Sequence, residues 1–143
     1  MMASGIKVYK EVEEKYVALQ KDHKHKWVVF EISQDEKSVV LKAVGDKDSP
    51  FEELLKNITV DKANYIAYDC RYNLKDGQLR EKVLLVLFTD DDNCNGKQKM
   101  IGSSTFNAVQ KSCTKYQKAV GLHSIDELTE KNFINLVSEN RTK

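Results

Sequence analysis

With 143 residues, 41% of them hydrophobic and 31% charged, the chain is sized for one globular domain with a real core. A net charge of only +1 excludes whole-chain polyelectrolyte binding to nucleic acid, so any electrostatic recognition must come from local patches. Three widely spaced cysteines, Cys70, Cys94 and Cys113, argue against both a disulfide framework and a zinc site. No basic-then-apolar leader and no apolar run of membrane-spanning length is present, so an intracellular, reducing setting is expected.

In chain order, residues 1–8 read as a flexible tail containing Ser4-Gly5. Tyr9, Val12, Tyr16 and Leu19 then recur at helical spacing and predict an amphipathic helix from about Tyr9 to Asp22. Trp27–Ile32 and Ser38–Val44 are β-branched and aromatic, and the polar turn Ser33–Lys37 between them predicts a hairpin. Ser49-Pro50-Phe51-Glu52 reads as a capped helix start, followed by a buried stripe of Phe51, Leu54, Leu55 and Ile58. Tyr65–Tyr72 is a strand, Lys75-Asp76-Gly77 a turn, and Lys82–Phe88 a central strand covered on both faces.

A polar, acidic loop from Thr89 to Gly96 leads into a helix that should end between Thr114 and Lys118. Wound at about 100° per residue, Ile101, Ala108, Val109 and Cys113 lean to one side of it, and Lys99, Ser103, Phe106, Asn107 and Gln110 to the other. The second face is polar apart from one large aromatic. That suits a helix presenting its outer face to a partner, although an ordinary amphipathic surface helix explains the spacing equally. Ala119–Leu122 gives one more short strand. Ser124-Ile125-Asp126-Glu127 is a second capping box, and Phe133, Leu136 and Val137 supply a core face for a last helix. Strands alternating with helices predict an α/β domain over residues 9–139, with a central mixed sheet of about five strands and helices on both faces; residues 140–143 form a tail.

Sites for bond-making chemistry are missing. Asp91-x-Asn93-x-Asn95-Gly96 matches half of an EF-hand loop, but the required twelfth-position glutamate is Gly102. His23-x-His25 lacks a clear third ligand, no nucleophile motif accompanies His123 or Cys113, and no glycine-rich phosphate loop occurs. Neither a catalytic site nor a resident metal or cofactor is expected. The basic candidates are Lys21–Lys26, the pair Arg80-x-Lys82 whose side chains share one strand face, and Lys97, Lys99, Lys111, Lys115 and Lys118.

Those residues, in this order, resemble the actin-depolymerising factor/cofilin family over nearly the whole chain. Met2-Ala3-Ser4-Gly5 is similar to the family's N-terminus, and Lys24–Ile32 to its first strand. Tyr65-Ile66-Ala67-Tyr68-Asp69 matches its "R-Y-x-x-x-D" strand without the arginine, and Arg80-Glu81-Lys82 its basic pair. Lys97-x-Lys99-Met100-Ile101-x-Ser103-Ser104 resembles its "K-x-K-M-x-Y-A-S-S" motif, with Gly102 at the tyrosine and Phe106 at a frequent lysine. Phe88-Thr89-Asp90-Asp91 stands at the family's "W-x-P-D" loop.

The resemblance implies an ADF-homology domain: a monomeric, cytoplasmic and cytoskeletal protein that binds actin monomers and filaments and promotes severing and depolymerisation. It implies that Ser4, Gly5, Lys97, Lys99, Met100, Ser104, Phe106 and Lys111 contact the actin monomer. Arg80 and Lys82 would make the second, filament-only contact, Ser4 would be a phosphorylation switch, and the helix lysines would also bind inositol phospholipid headgroups. A second reading comes from Ser124–Glu130, which looks like the "D-L-T-E" stretch of glia maturation factor, a relative that binds the actin-related branching complex and debranches filaments.

Overall fold

The computed structural model describes residues 6–138. Six strands form one mixed sheet in the order β1-β3-β2-β4-β5-β6. They are β1 (Lys7–Val8), β2 (His25–Ile32), β3 (Ser38–Asp46), β4 (Asn64–Asn73), β5 (Leu79–Phe88) and β6 (Lys118–Leu122). The helices are α1 (Lys10–Gln20), α2 (Phe51–Leu55), α3 (Gly96–Ser112) and α4 (Glu130–Ser138), with a 3-10 turn at Ile125–Glu127. β2, β3, β4 and β5 pair antiparallel, and the short strands β1 and β6 run parallel to β3 and β5.

The sheet separates two apolar layers, because side chains alternate along each strand. Val28, Phe30, Tyr65, Ala67, Val83, Leu85 and Leu87 face one side, where Val12, Tyr16 and Leu19 of α1 and Val109 of α3 cover them. Trp27, Val29, Ile66, Tyr68, Leu84, Val86 and Phe88 face the other, under Leu54 of α2 and Phe133 and Val137 of α4. β4 and β5 are therefore buried on both faces, as their unbroken apolar runs predict. Each such large side chain contributes roughly 1.5–3 kcal/mol on burial. Trp27 lies flat on Gly45, where a Cβ would fall 2.3 Å from its indole, so β3 needs glycine there.

The α/β sheet with helices on both faces is as expected, and its six strands are close to the expected five. Local details differ. The segment read as tail contributes the additional strand: Lys7 and Val8 pair with Ser38 and Val39, and Ile6 and Val8 pack on the core. Two residues are too few to show any periodicity. Tyr9 stands outside α1 as its N-cap and is 48% exposed, so the buried stripe begins at Val12. Ser49 does not cap α2; its Oγ accepts a 3.0 Å hydrogen bond from Trp27 Nε1. Leu55 faces outward, and Ile58 lies beyond the helix while still packing on the second layer. α3 stops at Ser112, where Cys113 leaves helical geometry. The Ser124 capping box is formed, but it closes the 3-10 turn rather than α4.

Candidate actin-contact surface

Asn95 caps α3: its side chain accepts from the Gln98 backbone N–H at 2.8 Å and satisfies an orphan donor of the first turn. The Asp91–Gly96 segment thus serves as a turn and helix cap. The helix is fixed to the sheet by Gly102, Thr105 and Val109, which are buried. Gly102 lies so close to the entry to β4 that a Cβ would sit 2.8 Å from the Cβ of Ala63, the residue before the strand. The Tyr65 hydroxyl donates to the Gly102 carbonyl at 2.7 Å. At the far end, the Tyr16 hydroxyl donates to the Thr114 carbonyl at 2.6 Å, tying α1 to the end of α3.

This anchoring sets which face looks outward. At 100° per residue, Lys97, Met100, Ser104 and Lys111 fall within an arc of about 60°, and all four are exposed. Met100 is 74% exposed, the most of any large apolar side chain among the described residues. Ser103 and Asn107 border the same stripe and are also exposed. Lys99 lies on the flank, 3.1 Å from Asp91 Oδ1, and Lys97 Nζ is 3.9 Å from Glu36 Oε1. Pairs this exposed contribute about 0–1 kcal/mol, so they leave both lysines available to a partner.

Phe106 is the correction within the site. Its ring is half-buried, packs on the first apolar layer and stacks on Tyr65 with centroids 6.0 Å apart. The outward apolar group is Met100. Gly102 and Thr105 face the sheet but carry no apolar signal, so apolar spacing alone places Phe106 on the outer side.

Arg80 and Lys82 sit in β5 opposite Tyr72 and Cys70. Their side chains share the face of Leu84, Val86 and Phe88, the opposite face of the sheet from α3. Arg80 lies eight residue steps from Phe88, about 26 Å along an extended strand, so the basic pair and the start of α3 occupy different ends of the domain. No ion pair holds either residue among the described residues. Ser4 and Gly5 lie outside the described residues.

Burial pushes the Cys113 thiol up to about 12, and His123 Nδ1 lies 3.1 Å from the Thr89 hydroxyl.

The family model described as cofilin/tropomyosin-type actin-binding protein matches residues 5–138. The chain belongs to that family. The domain is an actin-binding module and not an enzyme. Actophorin from Entamoeba histolytica is 29% identical over 133 residues, covering 93% of this chain and 91% of the relative. Among solved structures, the cofilin of Streptomyces griseoflavus superposes with a TM-score of 0.82 at 20% identity, covering 93% of this chain and 97% of that one. Human coactosin-like protein gives 0.77 at 19% identity, covering 93% and 98%. At these identities the two structural likenesses establish the fold. Among the described residues, no helix is long and apolar enough to cross a membrane.

Proposed function

We propose that this domain binds actin monomers through the outward stripe of α3 and filaments through an added contact at Arg80 and Lys82, and that it acts in the cytoplasm by severing and depolymerising filaments. The observation that carries the reading is Met100: a three-quarters exposed thioether on a well-anchored helix, with Lys97, Ser104 and Lys111 on the same stripe and Lys99 beside it. An exposed apolar side chain ringed by cations suits an acidic partner surface with an apolar cleft. Ser4 and Gly5 would extend that contact, and phosphate on Ser4 would repel the same acidic surface. The lysines of the stripe would also attract inositol phospholipid headgroups, in competition with actin. Phe106 contributes by stiffening the helix against Tyr65 more than by touching actin.

Co-sedimentation with pure actin filaments, paired with a monomer-binding assay, tests the reading. The protein should pellet with filaments and raise the unsedimented fraction of actin. Failure to bind either form would refute it. Filament binding without any rise in unsedimented actin would leave a filament binder and remove the severing part. The glia-maturation-factor reading is not favoured: the Ser124–Glu130 stretch that suggested it forms a 3-10 turn and the first residue of α4, and the relative matched at 29% identity is an actophorin.

A further inference from the structure

Away from α3, His23, Asp69 and Glu81 converge from three parts of the fold: the loop after α1, the middle of β4 and the start of β5. One ligand atom from each lies within 4.8 Å of the other two, the only such His/Cys/Asp/Glu group among the described residues. His23 Nδ1 is 2.8 Å from Asp69 Oδ2, and Nε2 is 3.7 Å from Glu81 Oε1. We propose that these three side chains form a binding site for a divalent transition-metal ion of the zinc class.

Asp69 supplies the independent reason. It is 2% exposed, yet its Oδ1 is buried with no hydrogen-bond partner. A carboxylate oxygen withdrawn from water without a partner carries a desolvation cost that nothing offsets. A cation beside this carboxylate removes that cost.

The rest of the arrangement fits. Glu81 is held by Arg71 Nε at 2.9 Å through Oε2, which leaves Oε1 turned toward His23 and gives the ligating carboxylate an orienting partner. The two carboxylates face the Arg71 guanidinium on one side, with Lys26 acting on Asp69 from another. A cavity of about 310 Å³ opens on His23 and Glu81 and provides an entry path, although Lys82 and Lys115 also border it. Around an ion with ligand bonds of about 2.1 Å, tetrahedral ligands stand about 3.4 Å apart, so the side chains need only adjust by about an ångström. One imidazole nitrogen, two carboxylate oxygens and a water complete four-coordination. An imidazole ligand favours zinc-class ions over calcium or magnesium. The ion would staple the loop after α1 to β4 and β5.

Calorimetric titration of the full chain with ZnCl2 tests this, alongside thermal unfolding with and without the metal. One ion per chain and a Tm that climbs with Zn2+ concentration are expected. His23→Asn suits the position, because His23 has a φ of 54° and asparagine tolerates left-handed backbone. That variant and Glu81→Gln should each weaken binding by about tenfold or more, while His25→Gln and His123→Gln should not. Metal-free unfolding of His23→Asn and Glu81→Gln shows whether either has lost its fold. No binding at excess Zn2+, equal binding by His23→Asn and Glu81→Gln, or a thiolate charge-transfer band in the Co2+-loaded protein would each overturn the site.

Discussion

The Tyr65 hydroxyl donates a 2.7 Å hydrogen bond to the Gly102 carbonyl, locking the start of β4 to the first half of α3. This bond fixes how far α3 stands from the sheet and how it is rotated, and with it which residues form the outward stripe. Tyr65→Phe should cost about 1 kcal/mol, the usual net worth of a buried hydrogen bond, measured by urea unfolding. An unchanged midpoint would show that the contact is incidental.

Gly102 and Ala63 are coupled by space. A Cβ at Gly102 would meet the Ala63 Cβ at 2.8 Å, and neither group has a flexible end that can move aside. Helix propensity favours Gly102→Ala by about 1 kcal/mol, whereas overpacking costs about 1–3 kcal/mol, so the variant should be less stable. Ala63→Gly combined with Gly102→Ala should recover part of the loss. Additive effects of the two substitutions would contradict the contact.

Met100 and Phe106 should separate binding from stability. Met100→Ala leaves the fold nearly untouched, because the side chain is 74% exposed, and should weaken binding to actin monomers by about 1–2 kcal/mol as an interface truncation. Phe106→Ala removes a ring stacked on Tyr65 and should lower stability by about 2–3 kcal/mol, with a smaller loss of monomer affinity in the folded protein. Fluorescence titration with labelled monomers and denaturant melts give both quantities; the reverse pattern would restore Phe106 as the contact.

Arg80 and Lys82 lie on the opposite sheet face and at the other end of β5 from the start of α3. Charge reversal of both should therefore reduce filament co-sedimentation by tenfold or more, about 1.4 kcal/mol, while monomer affinity changes little. Equal losses in the two assays would mean a single shared surface.

The turn between β2 and β3 carries a pH-dependent element. Asp35 accepts from the Ser33 hydroxyl at 2.6 Å and from the Lys37 N–H at 3.0 Å, and these bonds hold its carboxyl below the ordinary value of 3.8. A depressed folded value means its contribution is present above 3.8 and is lost as pH falls through the folded value. Carboxyl NMR titration should place Asp35 below 3.8, and Ser33→Ala should move it back up. An Asp35 titration unaffected by Ser33→Ala would remove the hydroxyl as the cause.

How much was legible beforehand depends on the kind of signal each residue carries. Continuous apolar runs such as Val83–Phe88 announced a central strand, and Val12, Tyr16 and Leu19 announced the buried face of α1. The Lys97–Ser104 motif likewise marked the exposed helix, and the family match over residues 5–138 bears out the resemblance it suggested. Small or mixed residues misled. Ser49 has a capping residue's chemistry, but its hydroxyl is used by Trp27; Phe106 is spaced as an outward aromatic, but Gly102 and Thr105 form the inward face and turn it toward the core.

The sequence alone determined the order of the four helices and five of the strands, a sheet with helices on both faces, and the family, because these rest on periodicity and on motifs contiguous in the chain. Only the tertiary structure decided the sixth strand, the rotation of α3 and the meeting of His23, Asp69 and Glu81. Each of those depends on contacts between residues far apart in sequence: Lys7 with Ser38, Gly102 with Ala63, His23 with Asp69. Such contacts leave no local pattern, since the packing that selects them exists only once the chain has folded.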